Sequence, residues 1–171
     1  MKESDFLILG MLHLQPTHPY ELFTQLNNTS GIGLIWRFKR TNLYQDINTL
    51  QAQDLITHIV QKNSNRPEKK VYNLTKKGLE QFEQWLETPV QHGREIRAQF
   101  MAKLYFLRIL YPERTELMIT KQIKVLRIEC KRFDLKSSDA EIEFSEILAS
   151  YRLHQLNSTI NWLEEIGKKR E

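Results

Sequence analysis

The sequence predicts a mainly α-helical fold with one small β-hairpin. Three observations carry this reading. Glycine and proline are scarce, at 6 and 5 of 171 residues, which leaves few breaks in helical stretches. Two short runs rich in branched residues flank a polar turn in the first half. From residue 96 to the end the apolar residues recur only at helical spacing.

The elements follow in order. Residues 5–14 (DFLILGMLHL) are apolar nearly all round and predict a short helix buried on most sides, with Ser4 or Asp5 at its cap. Gln15-Pro16-Thr17 stops it, because a residue before proline avoids the helical region. Thr17 is the expected cap of a second helix that has Pro19 in its first turn and runs to Leu26. Asn27 to Gly33 is a break. Thr41 is the expected cap of a third helix, whose stripe is Leu43, Ile47 and Leu50 with Tyr44 beside it. Its other face reads Asn42, Gln45, Asp46, Asn48 and Thr49.

Residues 55–62 and 69–74 predict two strands joined by a turn at 63–68. Thr75 caps a fourth helix carrying Leu79, Phe82 and Leu86, and Thr88-Pro89 ends it. Ile96, Phe100, Leu104, Leu107 and Ile109 or Leu110 predict one long helix, broken at Pro112. Ile119, Ile123, Leu126, Cys130 and Phe133 form a heptad-like seam. After a turn at Ser137-Ser138-Asp139, the last helix carries Ile142, Ala149, Leu153, Leu156, Ile160 and Leu163 on one stripe, widened by Phe144, Leu148, Tyr151, Trp162 and Ile166.

Three helices, a hairpin and a fourth helix make the layout of a winged helix-turn-helix, expected over residues 1–88. The helices of 89–171 are expected to form a dimerisation domain, because the last stripe is wide for two neighbours to cover; an intramolecular three-helix bundle is the alternative. Charge distribution agrees with a nucleic-acid surface. Between Arg37 and Lys77 nine cations stand against three acids, a local net of +6 in a chain whose total is +4. The expected partners are therefore double-stranded DNA and a second copy of the chain. The residues expected to meet DNA are Arg37, Lys39, Arg40, Thr41, Asn42, Tyr44, Gln45 and Asn48 at the third helix, and Asn65, Arg66, Lys69 and Lys70 on the hairpin. Asn and Gln pair bidentately with adenine and Arg with guanine, while hairpin cations meet phosphates and set affinity without sequence. Tyr44 reads either as a phosphate contact or as a core ring with a wet edge. Trp36 and Phe38 read either as packing between helices or as the lining of a pocket for a small aromatic or hydrophobic effector.

Other chemistries lack their residues. The five histidines show no zinc spacing, and no nucleophile, Walker or dinucleotide motif occurs, so no metal, cofactor or catalytic function is expected. The longest apolar run is too short to span a bilayer, the first residues lack a signal-peptide pattern, and Cys130 alone suits a reducing cytoplasm. A winged helix kept only as a protein-binding adaptor is the rival function; the amide- and hydroxyl-rich face at 41–49 argues against it.

The pieces Leu7-Ile8-Leu9-Gly10-Met11-Leu12, His18-Pro19-Tyr20-Glu21-Leu22, Trp36-Arg37, Leu43-Tyr44, Leu50, Asp54-Leu55-Ile56, Val71-Tyr72-Asn73-Leu74-Thr75 and Gly78 occur in an order that resembles the PadR-type regulators. Phe100, Lys103, Leu104 and Phe106 resemble a signature of that family's longer-tailed, virulence-activator-like branch. The resemblance implies a dimeric transcriptional regulator, usually a repressor, acting on a palindrome-like operator and switched by a small molecule. Many members have Gly where Pro19 and Asp54 stand and Gly or Ser near Asn42; the first and last bear on groove contacts and Asp54 on the turn into the strand.

Overall fold

The computed structural model describes residues 1–63, 66–133 and 142–168, with side chains described for all of these except 62, 63, 66, 67, 142 and 143. The described chain forms two compact units, Met1–Glu87 with Met101–Leu110, and Thr88–Phe100 with Tyr111–Glu171. The boundary expected between residues 88 and 89 is therefore crossed again, because Met101–Leu110 belongs with the first unit.

In the first unit, α1 (Glu3–Leu14) is the centre. Leu7, Ile8, Leu9, Gly10, Met11 and Leu12 are all buried, so the helix has almost no face left for water. Neither Ser4 nor Asp5 caps it. The cap is Lys2, whose backbone N–H donates to the Asp5 carboxylate at 2.7 Å. Burial pushes the Asp5 carboxyl above the ordinary carboxylate range; the Lys2 N–H opposes this and the charge of Asp46 adds to it.

Helix α2 (Pro19–Leu26) and helix α3 (Arg40–Ala52) pack on α1 and on each other. The cap of α2 is His18 rather than Thr17, and the cap of α3 is Lys39 rather than Thr41. Thr17 has another use. Its N–H and C=O pair with Tyr72 at 3.2 and 2.9 Å, which lays one residue of the α1–α2 connection against the hairpin as a minimal third strand. The hairpin is β1 (Ile56–Asn63) and β2 (Arg66–Leu74), antiparallel, with Ile56 opposite Leu74 and Val60 opposite Lys70.

The turn from α3 into β1 is a Schellman ending. The N–H of Leu55 reaches the Leu50 carbonyl and that of Asp54 the Gln51 carbonyl, both at 3.0 Å. Such an ending needs a left-handed residue, and Asp54 has φ 58°. Helix α4 (Lys76–Glu87) starts at Thr75, whose Oγ1 accepts the Gly78 N–H at 3.0 Å as expected. A Cβ on Gly78 would stand 2.0 Å from the Leu55 carbonyl oxygen, so the helix sits this close to the turn only because residue 78 is glycine.

The long helix expected over 96–110 is divided. A π-helical turn occupies Ile96–Phe100 and the α-helix α5 covers Met101–Leu110. Helix α5 packs on α1 and α4; Phe106 lies edge-on to Phe82 at 5.4 Å and fills the space over Gly10, where an added Cβ would meet its ring at 2.4 Å. Lys103 is 1% exposed. Its ammonium donates to the Trp85 carbonyl in the last turn of α4 and lies 4.6 Å from the Trp85 ring centroid, a favourable place for a cation at a helix C-terminus.

In the second unit, α6 (Thr115–Phe133) packs antiparallel to α7 (Ile142–Lys168) through Leu126, Leu156, Ile160 and Leu163. The heptad reading of α6 is corrected. The buried ladder is Thr115, Met118, Ile119, Gln122 and Leu126, while Ile123, Cys130 and Phe133 are only half-buried. Gln122 is fully buried because its side-chain amide pairs with both backbone groups of Val90, donating at 2.9 Å and accepting at 2.8 Å.

Asp54 supplies a test. Replacing it with glycine removes the cost of holding a side chain at positive φ, so D54G is expected to gain about 0.5–1 kcal/mol. The melting temperature of the full chain should rise by a few degrees; an unchanged or lowered value would refute the Schellman assignment.

Candidate nucleic-acid interface

The residues of α3 separate cleanly by direction. Leu43, Asp46, Ile47 and Leu50 are buried. Thr41, Asn42, Tyr44, Gln45, Asn48 and Thr49 are exposed, as are Arg37, Lys39 and Arg40 at its start. The structure thus brings together on one surface eight of the side chains expected to meet DNA at the third helix. Lys69 and Lys70 are exposed on β2. The expectations at Asn65 and at the Arg66 side chain lie outside the described residues.

Asp46 does not belong to that surface, although its residue type suggested the polar face. It points inward, where Oδ1 accepts from the Lys2 ammonium at 3.1 Å and Oδ2 from the Ser4 hydroxyl at 3.0 Å. The signal was present in the spacing: 43, 46, 47 and 50 lie on one side of a helix, so Asp46 shares the inward stripe. The pairing with Lys2 and Ser4 lies more than forty residues away in sequence and needs the folded chain to become visible. Its effect is to take the one acid of the third helix out of the outward field.

The lead-in to α3 is fixed by Asn27. Its carboxamide oxygen accepts the Phe38 N–H at 2.9 Å, its amide donates to the Phe23 carbonyl at 3.0 Å, and its own carbonyl accepts from the Arg37 guanidinium at 2.6 Å. Arg40 lies over two rings of α2, with its guanidinium carbon 5.5 Å from the Tyr20 centroid and 5.7 Å from that of Phe23. Stacking holds the side chain in place while its N–H edges stay available for an acceptor. Neither tie was legible in the sequence, because both depend on how α2 and the lead-in approach each other.

Tyr44 is 42% exposed on the outward face. Burial pushes the hydroxyl of Tyr72 above the ordinary tyrosine range, and the neighbouring Tyr44 adds to the shift. Phe38 is buried and Trp36 half-buried. No group of three or more His, Cys, Asp or Glu side chains among the described residues could hold a metal, and no helix among them is long and apolar enough to cross a membrane.

Of the residues expected to form the dimer surface, Leu156, Ile160 and Leu163 are buried within the chain itself and Ala149 and Leu153 are half-buried; the side chain of Ile142 lies outside the described residues. The exposed apolar side chains of α7 are instead Phe144, Ile147, Leu148 and Tyr151, at spacings of three, one and three that form a single stripe. The stripe chosen from sequence was the inward one, since α6 already covers it.

Direction on α3 is testable through stability. Asp46→Ala leaves the Ser4 hydroxyl and Lys2 ammonium without their acceptor and should cost about 1 kcal/mol or more. Asn48→Ala, on the outward face, should change stability by less than about 0.5 kcal/mol. Urea unfolding midpoints of the two variants check this, and equal midpoints would contradict the inward placement.

Comparison with known proteins follows the same lines. The family model described as the transcriptional regulator PadR-like family matches residues 8–84. The negative transcriptional regulator PadR of Bacillus subtilis (strain 168) is 22% identical over 97% of this chain and 96% of its own. The crystal structure of Bacillus subtilis PadR in complex with operator DNA superposes with a TM-score of 0.50 at 21% identity, over 97% of this chain and 98% of that one. A PadR-like transcriptional regulator from Bacillus cereus strain ATCC 14579 is 30% identical over 47% of this chain and 75% of that one, with a TM-score of 0.41. With its winged helix spanning the matched residues 8–84, the chain carries a domain of the PadR-like family of transcriptional regulators.

Proposed function

We propose that this regulator is a homodimer that binds a palindrome-like operator with α3 in the major groove and the hairpin on flanking phosphates, and that it acts as a repressor released by a small-molecule effector. The observation that carries the reading is the outward face of α3. It presents amides, hydroxyls and cations, and its single acid is turned inward onto Lys2 and Ser4. A surface without a carboxylate meets phosphate and base edges without paying for like-charge repulsion. On this reading Asn42, Gln45 and Asn48 read base edges, Arg40 does so from its stacked position, and Thr41 and Tyr44 meet phosphates beside Arg37 and Lys39. Asn65, Arg66, Lys69 and Lys70 form the wing contact.

The dimer reading now rests on the exposed stripe Phe144, Ile147, Leu148 and Tyr151, since four adjacent large apolar side chains on one helix face call for a cover. Two copies would place their α3 helices roughly 34–36 Å apart, one turn of DNA. The resemblance of Phe100, Lys103, Leu104 and Phe106 to the longer-tailed branch supports the same tail-mediated assembly.

Two measurements test the proposal. In a gel shift with the DNA upstream of the protein's own coding region, Asn42→Ala and Gln45→Ala should each lose about 1–3 kcal/mol of preference for that DNA over random sequence. Lys69→Ala and Lys70→Ala should weaken both alike and lower the salt slope by about 1 each. Binding that ignores both sequence and salt would sink the regulator reading. Sedimentation of Leu148→Glu should show a monomer where the unsubstituted chain sediments as a dimer; a dimer in both would move the interface elsewhere.

A further inference from the structure

A cavity of about 620 Å³ opens within the helical unit, lined by the segment His92–Arg97, the C-terminal end of α6 and the middle of α7. Its lining includes four exposed arginines, Arg94, Arg97, Arg132 and Arg152. They come from four separate elements, so no single helix pattern explains their meeting.

The lining has one carboxylate, Glu129, and it is already engaged. Its Oε2 accepts the Gly93 N–H at 2.8 Å, and its Oε1 lies 3.8 Å from His92 Nδ1. Among the described residues, none of the four arginines forms an ion pair or donates a hydrogen bond; Arg152 rests over the Phe133 ring at 5.4 Å. The contrast lies on the same helix pair, where Arg127 bonds Glu164 at 2.7 Å. On the same helix pair an acid is thus placed directly on an arginine outside the cavity, while the one acid of the lining is bonded to Gly93 instead.

Four arginines against one carboxylate give the lining a net positive charge, which suits an anion that accepts from several guanidinium forks at once. Ile96, Leu156 and Phe133 give the same wall an apolar part, which an inorganic ion would leave uncovered. The volume is that of a small-molecule site. We propose that this cavity binds a small organic anion with two acidic groups, carboxylate or phosphate, on an apolar body, held by Arg94, Arg97, Arg132 and Arg152.

The test needs no DNA, so its outcome is separate from that of the operator reading. The full chain is titrated calorimetrically at fixed ionic strength with phthalate, phenyl phosphate, benzoate and inorganic phosphate. Phthalate or phenyl phosphate is expected to bind at one saturable site, about tenfold or more tighter than benzoate or inorganic phosphate. The double variant Arg94→Gln/Arg132→Gln and the single variant Arg97→Gln should each lose about tenfold or more, with helical circular dichroism retained; Lys69→Ala/Lys70→Ala should bind as the unsubstituted chain does. No saturable binding by either dianion, equal binding of all four probes, or affinity untouched in folded arginine variants would overturn the proposal. If the double variant fails to fold, Arg97→Gln alone decides.

Discussion

The first unit is governed by one constraint: α1 is apolar almost all round and must be covered on almost every side. Helices α2, α3, α4 and α5 and strand β2 all pack against it. Each neighbour thereby spends one face on the core and keeps one face for solvent. For α3 this fixes which side chains are left outside. Leu43, Ile47 and Leu50 turn to the core and the amides turn away. The closeness of this packing shows at Gly10, where the Phe106 ring occupies the volume a side chain would need. A reading surface on α3 is therefore a by-product of hiding α1, and its orientation is as firm as the core beneath it.

Electrostatics refines what packing sets up. A carboxylate in the middle of α3 would oppose any polyanion, yet residue 46 is aspartate. The fold resolves the conflict by using that carboxylate as an anchor for the chain start, where Lys2 and Ser4 satisfy both oxygens. The cations nearby are handled in the opposite way. Arg40 is steadied by rings rather than by acids, and Arg37 by a backbone carbonyl, so neither positive charge is neutralised. Pairing the acid and leaving the bases unpaired gives the surface its sign.

The helical unit is held by polar ties as much as by apolar contact. Gln122 acts as a backbone mimic for Val90, and Glu129 takes up the Gly93 N–H. Each tie satisfies a group that burial would otherwise leave costly. The four arginines of the cavity lining stand in contrast, since none of them forms an ion pair among the described residues.

Much of this was legible from residues alone. Element order, the Thr75 cap and the buried character of α1 follow from local periodicity and turn chemistry, which act over a few residues. The outward amides of α3 follow from the same period. The errors share one physical origin. Asp46 and the stripe on α7 were misread, and the burial of Lys103 and Gln122 was not foreseen, because the burial of a polar group, or the choice between two apolar stripes, depends on a partner distant in sequence. Lys103, named in the tail signature, is also a buried staple to Trp85. Leu156, Ile160 and Leu163 looked like a dimer face and are the seam with α6. The sequence by itself determined the order of helices and hairpin in the first half, and with it the winged-helix layout, because those signals act over a few residues. Only the tertiary structure decided which face of each helix is already covered, because covering is a property of pairs of elements and not of either one.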